Sequence, residues 1–189
     1  SFYLGVAGDT TDAIREKLLD AVEQGAEVIL SSAGVSVGTR DVVKEVLEEL
    51  GEIGFWRVNM RPGKPLAFGN VRGIPFFGLP GNPVSSLVSF EVFVRPALLK
   101  MLGQSVDVPR YEVIMGEDMT GDGRESYIRV MLTRENGQRV AYSTGTQSSG
   151  AISSLVKADA LLIIPAGVRE VKKGDSLTVR SFAGQPIVV

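Results

Sequence analysis

Hydrophobic positions in the first hundred residues follow two alternating periods. Over residues 9–25 ("DTTDAIREKLLDAVEQG") Ile14, Leu18, Leu19 and Val22 fall on one helical face. Residues 9–12 offer caps there and Gly25 offers a stop. "EVILSS" then reads as a short buried strand. "RDVVKEVLEELG" repeats the helical pattern through Val42, Val43, Val46, Leu47 and Leu50, ending at Gly51. "GFWRVNM", "PLAFGNV" and "GIPFFGL" read as strands, the first two around a Pro-Gly corner. Residues 83–102 are helical in pattern, with Pro96 expected to kink or divide the helix. Strands interleaved with helices predict a layered α/β domain with a mainly parallel sheet.

The pattern changes after residue 105. Short runs of period two follow: "RYEVIMG", "SYIRVMLT", "QRVAYST", "ALLIIP" and "SLTVRSF". "ENGQ" signals a hairpin and "KKGDS" another turn. A short helix is expected within "SGAISSLVK". This half reads as a small β-barrel or sandwich. The expected domains are residues 1–105 and 106–189, joined through "GQSVDVP".

Composition narrows the chemistry more than the fold. The 189 residues are 44% hydrophobic and 22% charged, as in ordinary globular chains. The formal net charge is −2, with no basic stripe, which argues against a general nucleic-acid binder. No stretch has the length of a membrane-spanning helix. There are no cysteines and no histidines. Disulfides, thiolate metal sites and Ser-His or Cys-His mechanisms are therefore impossible. Chemistry falls to carboxylates, Lys, Arg, hydroxyls, backbone amides or a hard cation on oxygen ligands. A cytoplasmic location is compatible with this composition.

Three loops carry the residue types for such chemistry. "SSAGVSVGTRD" (31–41) follows a strand and precedes a helix. Gly34 and Gly38 permit close backbone approach there, and Ser31, Ser32 and Ser36 supply hydroxyls. On spacing alone Asp41 reads as a first-turn carboxylate rather than a catalytic one. "NMRPGKPLAF" projects Arg61 and Lys64 from a turn stiffened by Pro62 and Pro65. It fits a solvated basic turn and an oxyanion clamp equally well. "LPGNPVSS" places Gly81 and Asn82 in a Pro-locked corner, with Ser85 and Ser86 in the first turn of the next helix. Alone, that corner needs be no more than a well-capped helix start. Each loop follows a strand, so in a parallel sheet all three would face one edge and form a site for a phosphorylated or oxyanionic ligand. In the β-rich half, Arg124 and Arg129 of "GRESYIRV" and the hydroxyls of "STGTQSSG" read from composition as a surface strand and a flexible loop.

"AGVSVGTRD", "RPGKPLAFG" and "GLPGNPVSS", in this order, resemble the molybdopterin molybdenumtransferases, the MoeA family, which includes the gephyrin E domain. The resemblance continues through "GRESYIRV", "STGTQSSGAISSLVKADALLIIP" and "VKKGDSLTVRSF", covering nearly the whole chain. It implies insertion of molybdate into adenylylated molybdopterin with release of AMP, by a three-layer α/β/α domain followed by a small all-β barrel. It further implies that the chain corresponds to a carboxy-terminal portion whose α/β domain lacks its first part. Such proteins act as homodimers, with further amino-terminal domains completing the site.

Residue by residue, the resemblance makes Asp41 the acid for Mg²⁺ and catalysis, and Lys64 and Pro65 the turn at the molybdate and phosphate site. It assigns oxyanion contacts to Ser85, Arg129 and Ser149, with Arg61, Gly34, Ser36, Gly38, Gly81 and Asn82 also lining the substrate site. Ala33 departs from the family's first glycine, and Arg61 stands where Lys is common. Two other readings differ in class: a non-catalytic molybdopterin-binding or scaffold module, and a molybdopterin adenylyltransferase. The β-rich tail argues against the second, whose class lacks such a domain.

Overall fold

Helix α1 (Thr11–Glu23) starts where the Thr10 hydroxyl accepts a hydrogen bond from the Ala13 amide at 3.3 Å. It ends at Gly25, whose φ of +74° lets the Ala26 amide turn back to the Ala21 carbonyl at 3.0 Å. The structure, a computed structural model, describes residues 1–33 and 40–182. The side chains of Arg40, Asp41 and Trp56 lie outside the described part. The chain packs as two units: residues 1–58 with 63–82, and residues 59–62 with 83–189. The boundary at 105 and 106 expected from the sequence falls inside the second unit.

After α1 come β1 (Ile29–Ser32), α2 (Arg40–Leu50), β2 (Gly51–Arg57), β3 (Met60–Arg61), β4 (Pro65–Val71) and β5 (Ile74–Leu79). Of these, β3 belongs to the second unit. The first unit's sheet has the order β1-β5-β4-β2. The α/β class stands, but the sheet is mixed rather than mainly parallel. Only β1 and β5 pair in parallel, and β5–β4 and β4–β2 are antiparallel. The reason is local. Arg72 (φ 51°) and Gly73 (φ 84°) form a two-residue turn with both φ positive, and such a turn joins antiparallel neighbours. The sequence "VRGI" gave no Asn-Gly signal for it. One face of this sheet carries Ile29, Ala67, Val71 and Phe76, packed with Leu18 and Ala21 of α1 and with Val43, Val46, Leu47 and Leu50 of α2. On the other face Phe68 stacks between Phe55 and Phe77, at centroid distances of 5.5 and 4.9 Å.

The second unit opens with α3 (Pro83–Ser89), a π-helical turn at Phe90–Val94, and α4 (Arg95–Met101). The backbone stays helical through this stretch, with Ser89, Val94 and Arg95 all at right-handed helical angles; the irregularity expected at Pro96 takes the form of the π-helical turn just before it, where the Arg95 amide donates to the Phe90 carbonyl. The strands are β6 (Arg110–Met115), β7 (Met119–Thr120), β8 (Glu125–Glu135), β9 (Gln138–Ser143), β10 (Ala160–Ile164), β11 (Glu170–Val171) and β12 (Ser176–Ser181). The short helix α5 (Ser153–Val156) precedes β10. The order β10-β12-β6-β9-β8 closes through β8–β10 pairing into a five-stranded barrel, and β3 adds in parallel to β8. Ile128, Val130 and Leu132 of β8 point into its core with Val113, Met115, Leu162 and Val179. Asn136 (φ 49°) and Gly137 (φ 80°) make the hairpin that "ENGQ" predicts.

Candidate functional site

In the second unit the site is built around Arg129. Alternation along β8 turns it away from the barrel core, yet it is only 1% exposed. Its guanidinium is held entirely by neutral oxygens. Nε donates to Ser154 Oγ at 2.8 Å, and Nη2 to the carbonyls of Ser148 and Thr146 at 3.1 and 3.4 Å. Neutral acceptors satisfy the donors without cancelling the charge. Burial pushes the guanidinium below its usual value, and the positive charge of Arg61 adds to that shift. Arg180, also buried, differs: it donates to the Glu91 carbonyl at 2.8 Å and has the Glu91 charge in its favour. Arg129 and Arg61 thus carry like charges that disfavour each other, with Asp122 as the counter-charge beside Arg61.

Arg61 reaches this place because β3 docks on β8, with Arg61 opposite Ser126. Arg124 fastens it there, donating from Nη1 to the Met60 carbonyl at 3.2 Å and from Nε to Asp122 at 3.0 Å. Asp122 also lies 3.8 Å from Arg61 Nη1. The loop after β9 supplies the remaining groups. The Val84 amide, in the first turn of α3, donates to the Ser149 carbonyl at 3.3 Å, which brings buried Ser85 and the 146–149 loop together. The second unit thus assembles Arg61, Ser85, Arg129 and Ser149.

In the first unit the strand register gathers a second set. The carboxyl ends of β1 and β5 lie side by side, with Ser32 opposite Leu79. Antiparallel β4 begins at that same edge with Pro65. Lys64, Pro65, Gly81 and Asn82 therefore share one edge of the sheet with Ala33. Lys64 is exposed, and its carbonyl accepts from the Val58 amide at 3.1 Å. Gly81 is pressed against Ala33: a Cβ added there would sit 3.1 Å from the Ala33 Cβ. The Ser31 hydroxyl is buried at this edge with no hydrogen-bond partner. Gly34, Ser36 and Gly38 lie outside the described residues. Asp41 is the second residue of α2, and its side chain lies outside the described part.

Three residues of the arrangement were not singled out from the sequence: Asp122, Gln147 and Ser154. All act on an arginine rather than standing in a recognisable motif, so nothing in their spacing marks them.

Residues 2–100 match the family model described as "Probable molybdopterin binding domain". The chain belongs to this molybdopterin-binding domain family. Residues 112–182 match a second model, the MoeA C-terminal region, domain IV, so the chain pairs a molybdopterin-binding domain with the MoeA barrel. Among curated relatives, the molybdopterin molybdenumtransferase of Haemophilus influenzae is 36% identical over 95% of the chain and 45% of the relative. Gephyrin of Dictyostelium discoideum is 34% identical over 90% of the chain and 27% of the relative. Among solved structures, a molybdopterin biosynthesis MoeA protein from Pyrococcus horikoshii superposes with a TM-score of 0.78 at 30% identity, over 97% of the chain and 44% of that protein. The chain spans less than half the length of each of these relatives. No described helix is long and apolar enough to cross a membrane.

Proposed function

We propose that this chain serves molybdenum cofactor biosynthesis by inserting molybdate into adenylylated molybdopterin, with release of AMP. The observation that carries the reading is the buried Arg129 guanidinium, held by neutral oxygens beside the like charge of Arg61, in a member of a molybdopterin-binding family. Such a centre suits a small dianion. Arg61, Arg129, Ser85 and Ser149 receive the molybdate oxygens through charge-assisted hydrogen bonds, and Lys64 adds a cation for the oxyanionic groups. The pterin dithiolate supplies the sulfur that takes over ligand positions on molybdenum. The protein then needs neither Cys nor His, and the sequence has neither. Rate enhancement comes from positioning and from fixed positive charge where negative charge concentrates.

The reading includes Mg²⁺ at Asp41. Among the described residues no group of three or more acids could cage a metal. In this reading the cation would be held largely by substrate phosphates, with Asp41 as the protein's ligand. Bound there, it would offset charge on the pyrophosphate. The reading also carries a homodimer, a cytoplasmic location and a domain division at residues 105 and 106. The two family matches support that division by leaving residues 101–111 between them.

The test is molybdate-dependent AMP release from adenylylated molybdopterin, followed chromatographically. Asp41→Asn is expected to reduce it by a factor of about 100 or more, within the range of one lost electrostatic group. Undiminished release would exclude the role given to Asp41. No release by the unaltered protein, with molybdate still bound, would favour a binding module.

A further inference from the structure

One edge of β8 is not continuously paired. Met60 and Arg61 of β3 pair with Glu125 and Ser126, and β9 takes over only from Val130, opposite Ser143. One further bond follows, from the Thr144 amide to the Arg129 carbonyl at 3.2 Å; the Arg129 amide and residues 127–128 lie in the gap, and the Gln147 side chain fills its end. Gln147 Oε1 accepts from the Arg129 amide at 3.1 Å, and Nε2 donates to the Arg129 carbonyl at 3.0 Å. One primary amide thus takes the Arg129 N–H as a neighbouring strand would, and shares the Arg129 carbonyl with the Thr144 amide and hydroxyl. Nε2 also lies 3.1 Å from Ser143 Oγ and 3.4 Å from Thr144 Oγ1, which ties the end of β9 to the same point. Gln147 sits between Thr146 and Ser148, whose carbonyls accept from the Arg129 guanidinium. Its backbone neighbours therefore hold the charge while its side chain holds the residue that bears it.

We infer that Gln147 is a positioning residue for oxyanion binding: its amide replaces a strand in the gap between β3 and β9 and so fixes Arg129 together with Ser148 and Ser149. This rests on the functional reading above. A neutral amide suits the task because it satisfies both donor and acceptor of the backbone without cancelling the charge on Arg129. A carboxylate would lose the donors to the Arg129 carbonyl and would partly neutralise the guanidinium.

The experiment measures molybdate retention by the full chain in equilibrium dialysis, with molybdenum quantified by mass spectrometry. Gln147→Leu keeps the size and removes both polar atoms. It is expected to weaken molybdate binding about tenfold, one charge-assisted contact's worth, with the circular dichroism spectrum unchanged. Gln147→Glu is expected to weaken it at least as much. In an Arg129→Lys background, Gln147→Leu should add less than twofold, because its effect runs through Arg129. If the unaltered chain retains no molybdate, the functional reading fails and the inference with it. If the unaltered chain retains molybdate and both Gln147 variants retain it equally well, only the role of Gln147 is overturned. Full multiplication of the two losses in the double variant overturns it too. So does a failure of both single variants to fold, since a residue required for barrel closure is not a positioning residue.

Discussion

At Gly69 an added Cβ would lie 2.2 Å from the Glu52 carbonyl oxygen, a main-chain atom of the neighbouring strand. No rotamer change relieves such a contact, so the strands would have to part. Gly69→Ala is expected to lower unfolding free energy by about 1–3 kcal/mol, read from urea denaturation. Gly150 has nothing within 4 Å of the corresponding position, and Gly150→Ala is expected to stay within about 0.5 kcal/mol of the unaltered protein. Equal midpoints for the two variants would show that the strand spacing is more yielding than the geometry implies. Arg129 poses the opposite question at the same scale. Its place on an outward-facing position of β8 is readable from the alternation of "SYIRV". Its burial is not, because the covering groups come from residues 146–154 and follow no period.

At the scale of elements, β3 is only two residues long and depends on its staple. Arg124 holds the Met60 carbonyl, and Asp122 lies between Arg124 and Arg61. Arg124→Leu is expected to raise hydrogen–deuterium exchange at Met60 and Arg61 while leaving the amides of β10 and β12 unchanged. Uniform protection in the variant would mean that strand pairing alone keeps β3 in place. The carboxyl of Asp122 is held below the usual aspartate range, first by its hydrogen bond from Arg124 and more weakly by the charge of Arg61. A depressed folded value means that this stabilisation is present above the unfolded value, about 3.9, and is lost as pH falls through the lower folded one. Asp122→Asn should therefore make stability fall less steeply with acid below about pH 4, in denaturation curves taken across that range. An acid limb as steep as that of the unaltered protein would remove Asp122 from the account.

At the scale of the whole molecule, 20 basic and 22 acidic side chains leave a formal charge of −2. The long-range field does not draw in an oxyanion, so capture depends on local cations. Those at the surface are screened over about 8 Å at physiological ionic strength. Molybdate retention is expected to weaken as salt rises from about 50 to about 500 mM. Lys64→Ala should lower retention and flatten that dependence, because Lys64 is exposed. A salt response identical to that of the unaltered chain would take Lys64 out of the anion site.

The sequence by itself determined the local geometry and the chemical repertoire. Asn136–Gly137 dictated a hairpin because few residues adopt positive φ, and Pro96, which lacks an N–H, follows a π-helical turn in its helix. The absence of Cys and His confined the chemistry to oxygens, amides and fixed cations. The three proline- and glycine-rich loops are the ones from which the anion site is proposed. Only the tertiary structure decided strand direction across the first sheet, where an Arg-Gly turn did the work expected of Asn-Gly. It alone also decided which arginine is buried with its charge intact. The burial depends on contacts between residues far apart in the chain, and periodicity records only neighbours a few positions away; the Arg-Gly turn is local but leaves no period to read.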